Sequence, residues 1–90
     1  MPLISAEVQI RNSLGLHARP AAKFVQEANG FSSRIKVKKK GQVVNGKSVM
    51  GLMTLAAAKG SKLVIEADGD DAADAVDALK RMVEDKFGEE

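Results

Sequence analysis

The stretch GQVVNGKS, Gly41 to Ser48, decides between two architectures for this chain. It matches the nucleotide-binding pattern G-x-x-x-x-G-K-[ST] at every position. In a phosphate-binding loop, however, the backbone between the two glycines wraps around the phosphates. Residues 42–44 are typical of a strand, and an extended strand cannot enclose a phosphate. The sequence therefore favours a hairpin turn at Gly41, a short strand, and a turn at Asn45-Gly46.

The surroundings of this stretch argue against a nucleotide site as well. The usual host is a parallel sheet of βαβ units, each about 30 residues or more, and a chain of 90 residues with a hairpin in its middle has little room for one. We therefore interpret Lys47 as a turn residue and Ser48 as the N-cap of a helix.

Alternation of apolar and polar residues predicts the strands on either side. The first covers residues 4–10, the second surrounds Ile35 and Val37, and the last contains Leu63–Ile65. Together with the strand at Val43 and Val44, they make four.

Helical spacing of small and apolar residues predicts three helices. The first runs from Ala18 to Ala28, with Pro20 in its first turn, and Gly30 suits a left-handed position past its end. The second begins near Ser48 and extends to Lys59-Gly60. The third opens after Gly69 and carries an apolar face that ends at Phe87.

The resulting order is strand, helix, strand, strand, helix, strand, helix. This order predicts a two-layer α+β domain over residues 1–90, with three helices on one face of a four-stranded antiparallel sheet.

Composition excludes several classes of function. With no cysteine and one histidine, neither thiolate chemistry nor a structural zinc site is expected. No apolar run approaches a membrane span of about 20 residues, and the N-terminus lacks the features of a signal peptide. We therefore expect a cytoplasmic protein without membrane insertion, metal or cofactor.

The sole histidine, His17, lies at the predicted start of the first helix. Free amides and the positive end of the helix dipole make that position an anion site. Arg19 could pair with the same anion, and neutral imidazole is a competent nucleophile near neutral pH. A capping or surface histidine is the alternative interpretation.

Two segments resemble the hallmarks of one family. LGLHARPAAKFV (14–25) resembles the active-site segment of the histidine-containing phosphocarrier (HPr) family of the bacterial phosphotransferase system. KGQVVNGKSVMGLMTLAAAKGSKL (40–63) resembles the segment around that family's regulatory serine. The resemblance runs over nearly all of the chain, with matching order and spacing.

The resemblance implies an open-faced sandwich with sheet order 1-4-2-3. It implies that His17 is phosphorylated on Nδ1 by phosphorylated enzyme I and passes the group to an enzyme IIA domain. The protein would then be a carrier rather than an enzyme. Arg19 matches the arginine that assists the phosphoryl group, and Gly15 and Pro20 match the residues that shape the loop and helix start.

The second helix is the expected docking surface for these partners. Val49, Met50 and Met53 match docking positions, and methionines make adaptable contacts, whereas Leu52 and Leu55 are expected to pack on the sheet. Ser48 matches the serine phosphorylated by the bifunctional HPr kinase/phosphorylase, with a plain N-cap as the alternative.

The sequence leaves two other functions open. One is a nitrogen-branch regulatory phosphocarrier with the same His17 chemistry. The other is a nucleic-acid-binding module that uses the lysines of residues 36–40, although three phenylalanines and no tyrosine or tryptophan offer few stacking platforms. We expect no nucleic acid among the partners, and a monomer.

Overall fold

The computed structural model describes residues 2–89. Strands and helices alternate in the predicted order, and a 3-10 turn follows the last helix. The elements are β1 (Leu3–Gln9), α1 (Ala18–Ala28), β2 (Arg34–Lys39), β3 (Gln42–Asn45), α2 (Val49–Thr54), β4 (Lys62–Asp68), α3 (Ala72–Glu84) and the turn Lys86–Gly88.

The four strands form one antiparallel sheet in the order β1-β4-β2-β3, which confirms the order implied by the resemblance. Its register places Val37 of β2 opposite Ile65 of β4 and Val44 of β3. Because successive side chains point to opposite faces, β2 buries Ile35 and Val37 and exposes Lys36.

The helices lie on the buried face of the sheet and close the core. Phe24 from α1, Leu52 from α2 and Leu79 from α3 are each at most 3% exposed. The opposite face of the sheet remains open to solvent, as its exposed polar residues show. The predicted open-faced sandwich is therefore confirmed. Within residues 2–89 we find no helix that has both the length and the apolar character needed to span a membrane.

The GQVVNGKS stretch has the predicted hairpin, strand and turn. The amide of Gly46 donates to the carbonyl of Ile35 at 2.7 Å, so this glycine lies against β2. The Lys47 ammonium donates to the carbonyl of Phe31 at 2.7 Å. Neither residue faces a phosphate-sized loop, because Gln42–Asn45 is paired with β2.

The ends of the helices differ from the predictions. Gly30 does not have positive φ; its amide donates to the Glu27 carbonyl at 3.1 Å, so α1 ends through a tightened turn instead of a left-handed glycine. The second helix stops at Thr54, well short of Lys59. There the Lys39 ammonium binds the carbonyls of the residues that follow, at 2.8 and 3.3 Å.

The third helix also ends earlier than its apolar pattern predicts. It stops at Glu84, and Lys86 and Phe87 both have positive φ. The Phe87 side chain is nevertheless only 3% exposed, because the 3-10 turn directs it back into the core. The Lys23 ammonium donates to the Phe87 carbonyl at 2.9 Å, which ties the turn to α1. This turn brings the C-terminal residues toward the start of α1.

Candidate functional site

His17 is the N-cap residue of α1. Its backbone is extended (φ −82°, ψ −172°), and its carbonyl accepts the first helical hydrogen bond, from the Ala21 amide at 3.0 Å. Its side chain makes no capping hydrogen bond. Pro20, buried in the first turn, has no amide hydrogen to satisfy. The start of α1 therefore keeps amides that no N-cap side chain occupies, as an anion site requires.

The loop before His17 is fixed against the turn that follows α2. The Leu16 amide donates to the Ala57 carbonyl at 2.9 Å. Gly15 has φ +71°, and a Cβ added there would lie 2.5 Å from the Ala57 carbonyl oxygen. Glycine is required here both by the left-handed backbone and by the lack of space. The predicted loop-shaping role of Gly15 thus has a physical basis.

The imidazole of His17 contacts a carboxylate from the far end of the chain. Its Nε2 lies 3.2 Å from Oε2 and 3.3 Å from Oε1 of Glu89. The Asn12 amide nitrogen donates to Oε1 of Glu89 at 3.0 Å and to the Gly15 carbonyl at 2.7 Å. Asn12 is fully buried, and its Oδ1 has no hydrogen-bond partner among residues 2–89.

These contacts keep the Glu89 carboxylate charged. Burial raises the pKa of Glu89, but hydrogen bonds from His17 and Asn12 and the nearby charges of His17 and Arg19 outweigh it, so the pKa is lowered. Within residues 2–89, the exposed Arg19 guanidinium makes no hydrogen bond or ion pair. Arg19 is therefore available to an incoming anion.

His17 borders a shallow, open depression. The His17 side chain is 34% exposed, and the depression has a volume of about 210 Å³. Leu14 on its rim is 75% exposed. The other lining residues are Leu16, Ala56, Ala57 and Ala58. An apolar rim around an accessible imidazole suits a protein partner that must reach the ring.

Ser48 begins α2 as predicted. Its Oγ accepts a hydrogen bond from the Gly51 amide at 3.0 Å, so it is the N-cap. No hydrogen bond or ion pair within the described part of the chain links Ser48 to His17 or Arg19. The serine and the histidine thus share no direct polar contact.

The three predicted docking residues of α2 differ in exposure. Met50 is 79% and Met53 is 44% exposed, whereas Val49 is half-buried and packs against the core. Leu52 and Leu55 are buried, as predicted. The exposed apolar surface of α2 therefore consists mainly of its two methionines.

The lysines of residues 36–40 do not form a uniform basic surface. Lys38 pairs with Glu66 at 2.9 Å, and Lys39 binds backbone carbonyls after α2. Lys40 occupies the hairpin turn with φ +48°. Half of the run is thus engaged within the protein. Over residues 2–89, we also find no cluster of three or more His, Cys, Asp or Glu side chains that could hold a metal ion.

Sequence reasoning missed Asn12, Leu14 and Glu89. Asn12 lies just after the first strand and three positions before Gly15, a pattern that by itself indicates only a turn. Glu89 lies 72 positions from His17, and no local pattern links the two. Leu14 differs from a core leucine only in its exposure, which the sequence does not show.

Known proteins are similar to this chain in sequence and in fold. The family model described as "PTS HPr component phosphorylation site" matches residues 4–85. The phosphocarrier protein HPr of Neisseria meningitidis is 48% identical over 87 residues, which cover 97% of this chain and 98% of that protein. The crystal structure of HPr-C-His from Thermoanaerobacter tengcongensis is 48% identical, covers 97% of this chain and 98% of its own, and superposes with a TM-score of 0.93.

A regulatory relative is similar too. The Bacillus subtilis protein Crh, described as a catabolite repression protein and crystallised as a swapped dimer, is 46% identical and has a TM-score of 0.76. The match covers 88% of this chain and 91% of that one. Since a dimer occurs among these structures, the expectation of a monomer stays a prediction for this chain.

Proposed function

Because the chain belongs to the HPr family of phosphocarrier proteins of the phosphotransferase system, we propose that His17 carries the phosphoryl group on Nδ1. It takes the group from phosphorylated enzyme I and passes it to an enzyme IIA domain. One observation carries this proposal. The His17 imidazole is accessible at the start of α1, and its side chain does not cap the amides of that helix.

The chemistry needs positioning and charge compensation more than acid–base catalysis. The Nδ1 lone pair forms a bond to phosphorus, and the electron pair of the broken bond leaves with the donor's atom. The phosphoryl oxygens then lie near the first-turn amides of α1, where the helix dipole favours negative charge. Arg19, exposed and two positions on, adds a positive charge. The protein is a covalent intermediate in the relay and not an enzyme in its own right.

The apolar surface near His17 supports docking of two partners in turn. Leu14 borders the depression at His17, and the exposed Met50 and Met53 lie on α2, which packs against α1. Both partners must reach the same ring, so one shared face is sufficient. Methionine side chains adapt to different partner surfaces. Val49 is half-buried and packs against the core, so it holds this face in place and offers a partner little contact area.

Transfer of label tests the role of His17. The protein is incubated with labelled phosphoenolpyruvate and enzyme I, and acid-labile label is expected to appear on the wild type. His17→Ala should lose it, whereas Lys47→Ala, which alters only a bond to the Phe31 carbonyl, should retain it. Label that survives in His17→Ala, or a wild type that accepts none, would contradict the proposal. Chase of the label onto an enzyme IIA domain tests the second step.

We further propose that Ser48 is a regulatory phosphorylation site for an HPr kinase/phosphorylase. A phosphate of about −2 charge at a helix start is tolerated, because it faces amides and not a carboxylate. Ser48 is adjacent to Val49 and Met50. A partner that docks on these apolar side chains would have to remove water from the phosphate, at a cost in free energy, and any acidic group of the partner would be repelled. Inhibition would therefore arise at the docking surface and leave the helix intact.

The kinase and ATP test this second role. Acid-stable label should appear in the wild type and in His17→Ala but not in Ser48→Ala. The phosphorylated protein should accept label from enzyme I more slowly while retaining its helical circular dichroism. Acid-stable label at another residue, or unchanged transfer after full modification of Ser48, would count against regulation through this serine.

A further inference from the structure

The contact between Glu89 and His17 involves one imidazole nitrogen, Nε2. A neutral imidazole holds one proton, and the partner of one ring nitrogen sets the state of the other. An ionised carboxylate can only accept hydrogen bonds. With the pKa of Glu89 lowered, the carboxylate is ionised near neutral pH. Nε2, 3.2 Å from it, must therefore be the donor.

We propose that Glu89 is a positioning residue for His17, which holds the proton on Nε2 and leaves Nδ1 as the nitrogen that attacks phosphorus. This inference rests on the function proposed above. It deepens that function, because it assigns the choice of nitrogen to a contact made by the C-terminal segment.

Asn12 ties the carboxylate to the loop that precedes His17. The same amide nitrogen donates to Glu89 at 3.0 Å and to the Gly15 carbonyl at 2.7 Å. Because Asn12 is fully buried, its side chain has little conformational freedom and cannot move with the Glu89 carboxylate. The two acceptors are thus held at a fixed separation, and the carboxylate stays beside the ring.

The same contact compensates charge during transfer. When Nδ1 bonds to phosphorus, the bond from phosphorus to the donor atom breaks and its electron pair stays with that atom. The Nε2 proton does not move, so the ring gains a positive charge, which the carboxylate faces at 3.2 Å. When the group leaves, the N–P electron pair returns to Nδ1 and the ring becomes neutral. Carboxylates that orient catalytic histidines act by the same two effects.

The expected effect on rate is modest. Glu89 is half-buried and the imidazole is 34% exposed, so solvent screens their interaction. Partly exposed charge pairs of this kind change an equilibrium or a rate by about two- to fivefold. The decisive measurement is therefore the position of the proton, with transfer rate as a second readout.

The test is imidazole ¹⁵N NMR of the full chain without phosphate, at about pH 8.5, above the ordinary titration range of imidazole. Wild type should be protonated on Nε2. Glu89→Gln should keep this tautomer, because Asn12 still fixes the amide oxygen as acceptor. Glu89→Ala should show an increased fraction protonated on Nδ1 and accept label from enzyme I about two- to fivefold more slowly. Glu84→Gln, an exposed carboxylate on α3, is the matched control and should match wild type.

The outcomes separate this inference from the carrier function. Backbone amide spectra of each variant show that the fold is retained. If wild type is protonated on Nδ1, or if the tautomer is the same in wild type and Glu89→Ala, the inference is wrong even when His17 takes up label. If the tautomer depends on Glu89 but no label reaches His17, the positioning contact is confirmed and its use in phosphoryl transfer is overturned.

Discussion

The N-terminal ends of α1 and α2 begin with the same extended backbone but use their N-cap side chains in opposite ways. Ser48 (φ −122°, ψ 114°) turns its hydroxyl back to the Gly51 amide, three residues along its own helix. His17 (φ −82°, ψ −172°) makes no such bond, and its ring instead contacts Glu89, 72 positions away. One helix start is completed locally, whereas the other is left open and is organised by distant residues.

This difference separates a structural position from a reactive one. The start of α2 has one amide fewer to offer an added anion, because the Gly51 amide already donates to the Ser48 hydroxyl. The start of α1 has uncapped amides and an exposed Arg19 that makes no hydrogen bond or ion pair within residues 2–89, and it keeps the ring accessible. A phosphate on Ser48 would thus be added to a helix start that is already capped, whereas a phosphate on His17 would bind amides that have no N-cap partner.

The largest effect is expected from Gly15→Ala, which would break the organisation of the open helix start. A Cβ there would lie 2.5 Å from the Ala57 carbonyl oxygen, and φ is +71°. The backbone strain alone costs about 1–2 kcal/mol, and displacement of the Ala57 carbonyl adds to it. We expect a loss of at least about 2 kcal/mol in the free energy of unfolding, measured by urea denaturation, and slower uptake of label by His17.

Gly60→Ala is the matched control for this substitution. Gly60 also has positive φ, +92°, but an added Cβ would meet nothing within 4 Å. It should therefore show the backbone strain without the clash and leave uptake of label unchanged. Equal losses of stability in the two variants would show that the loop tolerates the clash and does not hold His17 in place.

The parts of each helix start that sequence could predict are the local ones. A serine before an apolar helical pattern and after a turn specifies a cap within four residues, and Ser48 was predicted as one. Pro20 placed the start of α1 for the same reason, since it fits only the first turn. Strand alternation likewise predicted which residues of β2 face the core. All of these depend on neighbours along the chain.

The missed parts depend on tertiary contacts. Glu89 reaches His17 only because α3 ends early and the 3-10 turn at residues 86–88 reverses the chain, with Phe87 at φ +56°. The apolar pattern of α3 continues to Phe87 and so predicted a longer helix. In the same way, Lys39 binds the carbonyls after α2, a contact that no helix-stop signal encodes. The Asn12 bridge requires both ends of the chain to be in place.

A smaller effect, and a direct test of the comparison, is expected from removing each N-cap side chain. Ser48→Ala should lower the free energy of unfolding by about 1 kcal/mol, because the Gly51 amide loses its acceptor. His17→Ala should change it by less than about 0.5 kcal/mol, because no cap is removed. Ser48→Asp, which can cap, should recover most of the loss. Thermal or urea denaturation at neutral pH measures all three, and equal costs for Ser48→Ala and His17→Ala would remove the distinction between the two helix starts.

The smallest expected effect concerns the pKa of Glu89, which reports on the open helix start from its far partner. Burial raises this pKa, while the His17 and Asn12 hydrogen bonds and the positive charges lower it overall. His17→Ala removes one donor and one charge, so the pKa of Glu89 should rise, as measured by carboxyl ¹³C NMR.

A group with a lowered folded pKa stabilises the fold above its unfolded pKa, near 4.5 for this residue, and loses that contribution as pH falls through the folded value. His17→Ala should therefore lose less stability than wild type as the pH falls from about 4.5 through the folded pKa of Glu89.

Asp71, whose pKa is lowered by the hydroxyl of Ser33 and the amide of Ser32, has no contact with His17 and should titrate identically in both proteins. A Glu89 pKa that does not move would mean that the imidazole and the carboxylate do not interact in solution, and that the start of α1 is open on this side as well.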